Sequence, residues 1–293
     1  MFFPIHGHGR GLAMAAAGVT VLSFDSLLVR LAATDGWNII FWRGALMALS
    51  LGLLCLSGRR LATLKENPAA ALCSAITLAI TSSLFVLAVM NTKVANVVVI
   101  LSAAPLFAAI FTRYFLREAV AMRTWLAILA AMAGMLIVFA GSLSSEGLLG
   151  DMYAVIAAAA VGGNLTLLRR HPKLDRLPLI AIGGGLSALT AWPMATPFAL
   201  TTQSYGVLAL MGLLQMPLAT ALINNATRHL PSAEVALFYL IEAVFGTLWV
   251  WYWLDEQPPQ ATLLGGSLIL LTLFINAWLG LRGTARRLPS HPM

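Results

Sequence analysis

Long apolar stretches separated by short polar loops follow one another along the whole chain. A membrane-spanning helix needs about 20 consecutive, mostly apolar residues, and ten segments meet this requirement. The predicted spans are 11–33, 37–57, 69–90, 94–115, 122–142, 151–170, 177–199, 204–228, 232–254 and 261–281. Pro68 and Pro231 mark helix starts, where proline is favoured. The pattern predicts an all-α membrane protein with ten transmembrane helices.

The composition of the chain agrees with this pattern. Of the 293 residues, 60% are apolar and 10% are charged, whereas soluble proteins carry roughly 45–50% apolar and about 25% charged residues. One water-soluble core cannot bury such a surplus, because the surface still has to be covered. The composition therefore excludes a soluble enzyme, a DNA-binding module and a disordered tail. Residues 11–33 are long enough to span a lipid bilayer, which predicts an uncleaved first helix.

Basic residues are distributed unevenly between the two ends of the predicted helices. Fifteen lysines and arginines collect at one end and only Lys93 at the other, while Arg30 and Arg43 lie inside spans. Loops rich in lysine and arginine stay in the cytoplasm. The distribution predicts a multi-pass protein of the cell inner membrane with both termini in the cytoplasm. It also explains the net charge of +7 without a nucleic-acid partner.

An internal repeat appears when the sequence is aligned with itself at an offset of 138 residues. Tyr114 then aligns with Tyr252, and Glu118 aligns with Glu256. Apolar matches carry little weight, because any two membrane helices share leucines and alanines. Polar pairs at the same helix end are more informative, and they indicate a duplicated unit.

The parity of the spans determines how the two units are related. The predicted halves are residues 1–145 and 146–293, and each contains five spans. Because five is odd, the second half enters the membrane from the opposite face. Inverted repeats of this kind are a common transporter construction, with the substrate site near the midplane between the halves. The sequence therefore predicts a five-plus-five inverted repeat.

Three stretches resemble a known family. Residues 102–141, which begin Ser-Ala-Ala-Pro, are similar to the first-repeat signature of the drug/metabolite transporter superfamily and, within it, of the ten-helix EamA-type exporters. Phe-Trp-Arg at 41–43 resembles the family's arginine in helix two, and Leu-Ile-Glu-Ala-Val at 240–244 resembles its second-repeat Glu-Pro-Val motif. Ala243 replaces that proline, whereas Pro105 occupies the equivalent position in the first repeat. The resemblance implies transport, and the amino-acid exporter branch, including aromatic amino-acid exporters, is the most similar.

Polar side chains inside the predicted spans are the candidate substrate ligands. A charge at the bilayer centre costs roughly 2.5–3.5 kcal/mol on insertion scales, so it indicates function. Glu242, near the centre of the ninth span, suits a substrate amine, an exchangeable proton or a protonated packing residue. Tyr239 precedes it by one turn and shares its face. Gln215 and Asn164 lie close to mid-depth in the eighth and sixth spans.

Asp25 and Arg43 lie at comparable depths in the first two spans, which leaves two interpretations open. They form an ion pair between helices, or Asp25 binds substrate. An amino-acid zwitterion needs an acidic or acceptor group for its ammonium and donors for its carboxylate. The set predicted to bind such a substrate is Asp25, Asn164, Gln215, Tyr239 and Glu242. We predict no metal site and no cofactor, because no ligand set of the usual type lies within the spans.

Two prolines lie near the middle of predicted spans, Pro105 in the fourth and Pro217 in the eighth. Each lacks an N–H and leaves the carbonyl four residues earlier, of Leu101 or Leu213, without its usual partner. Membrane helices tolerate such kinks where neighbours or a water-filled cavity satisfy the freed groups. We expect both prolines to be hinges for alternating access.

These observations predict a secondary transporter that exports small organic solutes, with amino acids as the favoured class. The nearest alternative is a proton-coupled exporter of lipophilic cations, with Glu242 as the shared proton and drug site. An intramembrane enzyme would have only Asp25 and Glu242 as a catalytic dyad, so we predict that the chain is not an enzyme. A channel is disfavoured because rings of charge are lacking. The sequence does not indicate an oligomeric state, and a monomer is compatible with it.

Overall fold

A computed structural model describes residues 5–55, 58–92, 94–140 and 147–254, together with isolated positions between 264 and 279. Every regular element in this part of the chain is helical, which confirms the predicted all-α class. The helices are α1 (Ile5–Leu22), α2 (Asp25–Leu31), α3 (Gly36–Leu54), α4 (Gly58–Glu66), α5 (Pro68–Asn91), α6 (Val94–Leu101), α7 (Ala104–Phe111), α8 (Met122–Ala140), α9 (Leu148–Arg170), α10 (Arg176–Ala191), α11 (Thr202–Leu210), α12 (Met216–Ala226), α13 (Ser232–Leu237) and α14 (Tyr239–Leu254). Two short π-helical turns, Thr112–Leu116 and Met211–Gln215, extend α7 and join α11 to α12.

Length and hydropathy separate the possible membrane spans from the other helices. Within the described residues, six stretches are long and apolar enough to cross a membrane: Gly7–Leu31, Gly36–Leu54, Pro68–Asn91, Leu148–Arg170, Thr202–Ala226 and Ser232–Trp253. Shorter apolar helices cover Ala104–Leu116, Met122–Gly134 and Arg176–Ala191. All of these overlap predicted spans. The tenth predicted span, 261–281, is described only at isolated positions, and Glu256 lies outside the described residues, so the ten-helix count and the orientation of the termini stay predictions.

Three of the predicted spans are each divided into two helices. The first is interrupted at Ser23 and Phe24, the fourth at Ser102 and Ala103, and the ninth at Phe238. Long apolar runs continue on both sides of each interruption, and a few polar residues inside a span do not lower its hydropathy enough to reveal a break. Each interruption changes the direction in which the following side chains project.

The two mid-span prolines both lie next to helix irregularities. Pro105 is the second residue of α7, where a missing N–H costs no helical hydrogen bond. Pro217 is the second residue of α12 and follows the π-helical turn Met211–Gln215. A π-helical turn accommodates one extra residue, so it absorbs the bend that the proline imposes.

The contact between α3 and α10 brings one helix from each predicted half backbone to backbone. A Cβ atom added to Gly44 would lie 2.5 Å from the carbonyl oxygen of Gly184. A Cβ atom added to Gly184 would lie 2.8 Å from the carbonyl oxygen of Gly44. Carbon and oxygen atoms cannot approach so closely without a shift of the backbone. The crossing therefore requires glycine at both positions, as is typical of close helix packing in membranes.

The predicted seventh span, 177–199, is too long. The helix α10 ends at Ala191, and an irregular segment of nine residues leads to Thr201. Side chains of α3 hold this segment in place: Trp42 Nε1 donates to the Pro197 carbonyl at 2.8 Å, and Asn38 Oδ1 accepts from the Thr196 N–H at 2.7 Å. Its apolar composition makes it resemble a helix end in the sequence, but tertiary hydrogen bonds satisfy its backbone instead.

Candidate functional site

A central cavity lies between the helices of the two predicted halves. Its free volume, taken as the space open to the centres of water molecules, is about 70 Å³. This volume is enough for several waters or part of a small solute. Its walls are mainly aliphatic, with residues such as Leu78, Val161 and Ile223. The polar side chains on its surface are Asp25, Arg43, Thr81, Ser82, Asn164, Thr220, Asn224, Tyr239 and Glu242. A mostly apolar pocket with a few polar groups is typical of a small-molecule site.

The interruption between α1 and α2 positions Asp25. Asp25 is the first residue of α2, so its carboxylate projects from a helix end into the bundle. Trp249 of α14 secures the interruption, because its Nε1 donates to Ser23 Oγ at 2.9 Å. The same indole ring stacks on Phe24 with 4.5 Å between ring centroids. The helix α14, in the second predicted half, thus holds in place the interruption before Asp25, which belongs to the first half.

Asp25 forms a buried ion pair with Arg43. Arg43 Nη1 lies 2.9 Å from Asp25 Oδ2, and the two side chains are 0% and 2% exposed. Arg43 Nη2 also donates to the backbone carbonyl of Ser82 and, at 2.8 Å, to its hydroxyl. Of the two interpretations of the sequence, the structure contains the ion pair between helices, although both residues also line the cavity.

Glu242 is the second buried acid of the cavity, and its surroundings differ. It lies on the first turn of α14, is 3% exposed and shares the cavity wall with Tyr239. Within the described residues, its carboxylate accepts no hydrogen bond and has no basic side chain within 4 Å. Because Arg43 is paired with Asp25, Glu242 leaves the cavity with one acid more than it has bases.

A chain of hydrogen bonds fixes the amide of Asn164. The hydroxyl of Ser74 donates to Asn164 Oδ1 at 2.7 Å, and the Thr77 hydroxyl lies 3.3 Å from the same oxygen. Asn164 Nδ2 in turn donates to Asn224 Oδ1 at 3.4 Å. Asn224 Nδ2 is buried and has no hydrogen-bond partner. We refer to Ser74, Asn164 and Asn224 as the amide relay.

The amide relay includes residues whose role the sequence does not reveal. Asn224 resembles one of many amides that connect membrane helices by hydrogen bonds, so composition alone gives no reason to select it. Thr220 and Asn224 are four residues apart on α12 and both line the cavity. This helical spacing is the signal that places them on one face.

Four of the five predicted substrate-binding residues line the cavity: Asp25, Asn164, Tyr239 and Glu242. Gln215 is not among the cavity residues. It lies in the π-helical turn that precedes α12, where its Nε2 donates to the Val21 carbonyl at 3.4 Å and its Oε1 has no partner. The two predicted hinges lie beside the cavity, because Leu101 and Met216 line it close to Pro105 and Pro217.

Three helix ends meet at one face of the bundle. Asn67 Nδ2 and the His171 ring nitrogen lie 3.3 Å apart, joining the start of α5 to the end of α9. Arg169 donates to the Thr227 carbonyl at 3.4 Å, joining α9 to the end of α12. Burial and the neighbouring Arg170 lower the pKa of His171, which favours a neutral ring that accepts from Asn67. The sequence analysis predicts this end of the helices as the cytoplasmic one, where most basic residues collect.

An ion pair closes the same face near the start of α13. Arg123 Nη2 lies 2.6 Å from Glu234 Oε1, with the arginine side chain 30% exposed and the glutamate 6% exposed. His8 Nε2 lies 4.0 Å from the other oxygen of Glu234. The contacts connect α1 and the start of α8, both in the first predicted half, to α13 in the second.

Comparisons with known proteins agree with this architecture. The model of the EamA-like transporter family matches the chain twice, over residues 9–140 and 148–278. Two curated relatives, one from each of two strains of Pseudomonas aeruginosa, are both named pseudopaline exporter CntI. Each is 23% identical to this chain over 271 residues, which cover 89% of this chain and 93% of the relative. A solved crystal structure has a TM-score of 0.76 at 16% identity, covering 97% of this chain and all of that one.

The two family matches together cover most of the described chain and all of the polar residues that line the cavity. The crystal structure, at its low identity, supports the fold alone. Several apolar helices of spanning length and the family agree on a multi-pass protein of the cell inner membrane. The chain belongs to the EamA-like transporter family within the drug/metabolite transporter superfamily.

Proposed function

We propose that this transporter exports amino acids, or solutes that likewise carry an amine and a carboxylate, by alternating access. The observation that carries the proposal is Glu242, a buried acid without a partner among the described residues, on the wall of a cavity that both predicted halves line. An ionisable group at membrane depth needs a compensating charge or proton. A substrate ammonium supplies that charge, and the aliphatic walls accept an apolar side chain.

The proposed roles of the cavity residues follow from their contacts. Glu242 and Tyr239 receive the ammonium, and Asn164 supports the opposite polar wall through the amide relay. Asp25 neutralises Arg43, so that the remaining charge of the cavity belongs to Glu242 alone. Gln215 acts outside the cavity wall, at the irregular turn before Pro217, and its predicted contact with substrate requires movement of that turn.

The proposed frame is a ten-helix inverted repeat with halves 1–145 and 146–293 and both termini in the cytoplasm. Two observations support it. The helices α6 and α13 begin 138 residues apart, at Val94 and Ser232, and each is interrupted within about two turns. The family model also matches the chain once in each proposed half.

Cysteine labelling tests this frame. In a chain with Cys55 and Cys73 replaced, single cysteines at 35, 146 and 256 should react with an impermeant thiol reagent from outside. Cysteines at 62, 118 and 172 should react only after permeabilisation. Labelling of 118 and 256 from the same side would contradict the inverted repeat, because these positions are its best polar pair.

Export as the direction of transport has support from the two relatives, which are named pseudopaline exporters. Counterflow in proteoliposomes tests the substrate class. Vesicles preloaded with one unlabelled amino acid should accumulate the same labelled amino acid faster than vesicles that lack protein. The panel should include aliphatic and aromatic amino acids and one lipophilic cation, tetraphenylphosphonium.

A proton-coupled exporter of lipophilic cations is the second candidate, and the mainly aliphatic cavity walls favour it. In that case Glu242 binds a proton and the cation in turn. Counterflow of tetraphenylphosphonium without counterflow of any amino acid would replace the first proposal by this one. Proton release on binding of the cation, measured in weakly buffered detergent solution, would then identify Glu242 as the shared site.

A further inference from the structure

The start of α1 and the end of α12 bring two exposed arginines to one edge of the bundle. A Cβ atom added to Gly11 would lie 2.7 Å from His229 Cβ, so the two segments are in close contact there. Arg10 precedes Gly11 and Arg228 precedes His229, and both arginines are exposed. We refer to Arg10 and Arg228 as the arginine pair. It takes one cation from each predicted half of the protein.

No acid compensates the charge of the arginine pair. In the described part of the chain, neither arginine has a carboxylate oxygen within 4 Å. Arg228 Nη2 donates to the Leu174 carbonyl at 3.2 Å, which positions the guanidinium but leaves its charge. Burial, and then Arg228 and Arg10, lower the pKa of His229, because both cations disfavour a third charge between them. This edge of the bundle therefore attracts an anion.

The arginine pair lies at the depth where a membrane helix meets the lipid headgroups. Arg10 comes directly before the predicted span 11–33, and Arg228 ends the predicted span 204–228. The apolar stretches of spanning length in the structure, Gly7–Leu31 and Thr202–Ala226, end close to the same two positions. The anion that a membrane offers at this depth is the phosphate of an acidic phospholipid.

An apolar seam between α1 and α12 leads from the arginine pair into the membrane. A Cβ atom added to Gly18 would lie 3.0 Å from Leu222 Cβ, so the two helices touch along this line. Ala17 of α1 and Leu218 of α12 are exposed beside the contact. Ala17 follows Arg10 by about two turns on the same face of α1, and Leu218 shares a face of α12 with Leu222. A short side chain beside a longer one leaves a shallow groove that suits an acyl chain.

We infer that the arginine pair binds the phosphate of an anionic phospholipid, with an acyl chain of that lipid lying along the seam between α1 and α12. Guanidinium groups suit phosphate, because each donates several hydrogen bonds in one plane. The predicted topology puts this lipid in the cytoplasmic leaflet, where it joins the two predicted halves. The inference goes beyond the proposed function, since the lipid site needs neither a substrate nor transport.

Melting temperatures in detergent micelles test the inference. The full chain, purified without lipid, is titrated with phosphatidylglycerol or with phosphatidylcholine that has the same acyl chains. A lipid that binds only the folded protein raises the melting temperature, so each titration gives a half-saturating mole fraction. Each basic residue near an anionic lipid corresponds to about fivefold in affinity. For the two arginines together, we expect phosphatidylglycerol to half-saturate at a mole fraction at least about tenfold lower than phosphatidylcholine.

Two double variants and a control locate the site. Arg10→Gln with Arg228→Gln should reduce the preference for phosphatidylglycerol to less than about threefold. Arg10→Lys with Arg228→Lys keeps both charges and should keep most of the preference. Arg113→Gln with Arg117→Gln is the matched control, because it removes two exposed arginines from the same predicted end of the bundle. Each variant is compared with its own melting temperature without lipid, so a loss of stability does not count as a loss of binding.

The outcomes decide between a lipid site, an anion site and no site. Loss of the preference in the glutamine variant of the arginine pair, with the lysine variant and the control unaffected, supports the inference. If the preference survives in that glutamine variant, or the control loses it as well, the arginine pair is not the site. If the unaltered protein shows no preference, it binds no anionic lipid specifically. Glycerol phosphate carries the anion without acyl chains, and an equal rise in melting temperature with it would overturn the assignment of a lipid.

Discussion

Asp25 and Glu242 are two buried acids on one cavity, and their surroundings are opposite. Asp25 has a guanidinium 2.9 Å away, held in turn by the carbonyl and hydroxyl of Ser82. Glu242 has no such partner within the described residues. A paired charge at membrane depth stabilises the arrangement of helices, whereas an unpaired one is available to a ligand or a proton. Burial alone therefore does not identify an acid that binds a ligand.

The helices that carry these acids differ as well. In the first predicted half, Pro105 follows the interruption between α6 and α7. In the second half, the position 138 residues later is Ala243, directly after Glu242 in the uninterrupted part of α14. The proline and the unpaired acid therefore lie in different halves. We expect bending at Pro105 in the first half, and in the second half bending at Pro217 together with charge recognition at Glu242.

Replacement of Arg43 should have the largest effect. Arg43→Met leaves Asp25 buried without its partner, and the loss of one member of a buried pair costs about 3–5 kcal/mol. We expect a large fall in melting temperature and in the yield of monodisperse protein in detergent. The double variant Asp25→Leu with Arg43→Met should recover much of the loss. A stable Arg43→Met protein would show that the pair is dispensable for the fold.

Glu242→Gln should affect transport far more than stability. The substitution keeps the shape of the side chain and removes a charge that no described residue compensates. We expect at least about a tenfold loss in substrate affinity, which corresponds to roughly 1.4 kcal/mol, with an unchanged or higher melting temperature. Binding titrations and melting curves on the same preparation separate the two effects. Lower stability with unchanged transport per folded molecule would make Glu242 a packing residue.

Arg123→Gln tests an ion pair of intermediate exposure. Arg123 is 30% exposed and its partner Glu234 is buried near His8, so water and a second base compensate part of the loss. We expect a cost of about 1 kcal/mol in stability, well below that of Arg43→Met. Thermal unfolding at low and high salt is the measurement, and the difference between variant and parent should shrink at high salt. A cost equal to that of Arg43→Met would remove the contrast between the two pairs.

Pro105→Ala should have the smallest effect on stability and a modest one on rate. Alanine at position 105 allows a continuous helix across 94–116. This helix would then resemble α14 of the second half, which is uninterrupted around the equivalent residue, Ala243. We expect counterflow to slow by roughly threefold while binding and expression stay near parental values. The measurement is the counterflow rate at saturating amino acid. An unchanged rate in the variant would show that the proline shapes the helix without acting as a hinge.

The sequence predicts much of this fold because hydropathy and length suffice for membrane spans. Nine predicted spans overlap the apolar helices of the described chain. It does not predict the interruptions at Phe24, Ala103 and Phe238, since these spans stay apolar overall and polar neighbours such as Ser23 and Ser102 do not by themselves mark a break. It also places the end of the seventh span eight residues too late, because Trp42 and Asn38 supply the contacts that replace helical hydrogen bonds there. Tertiary partners are not visible in local hydropathy.

For the site, a charged residue inside an apolar span is a reliable guide, whereas amides are an uneven one, because Asn164 lines the cavity and Gln215 does not. Glu242, Asp25 and Arg43 stand out in the sequence and line the cavity. Gln215 has the same apparent depth but is not among the cavity residues; it lies in the π-helical turn before α12, where its Nε2 donates to the Val21 carbonyl. Asn224 looks like any helix-connecting amide in the sequence, and only the structure shows that it lines the cavity and contacts Asn164.

The reciprocal contact of Gly44 and Gly184 limits which parts of the molecule can move. With no side chains between them at these glycines, the backbones of α3 and α10 are in close contact. Sliding of one helix along the other by a fraction of a turn would bring a carbonyl oxygen too close to the backbone of the neighbouring helix. We therefore expect α3 and α10 to move together as one rigid unit. Arg43 is the residue before Gly44, so we expect its charge to keep its position relative to α10 when other helices move. We therefore expect the interrupted helices, rather than α3 and α10, to carry the movement of an alternating-access cycle.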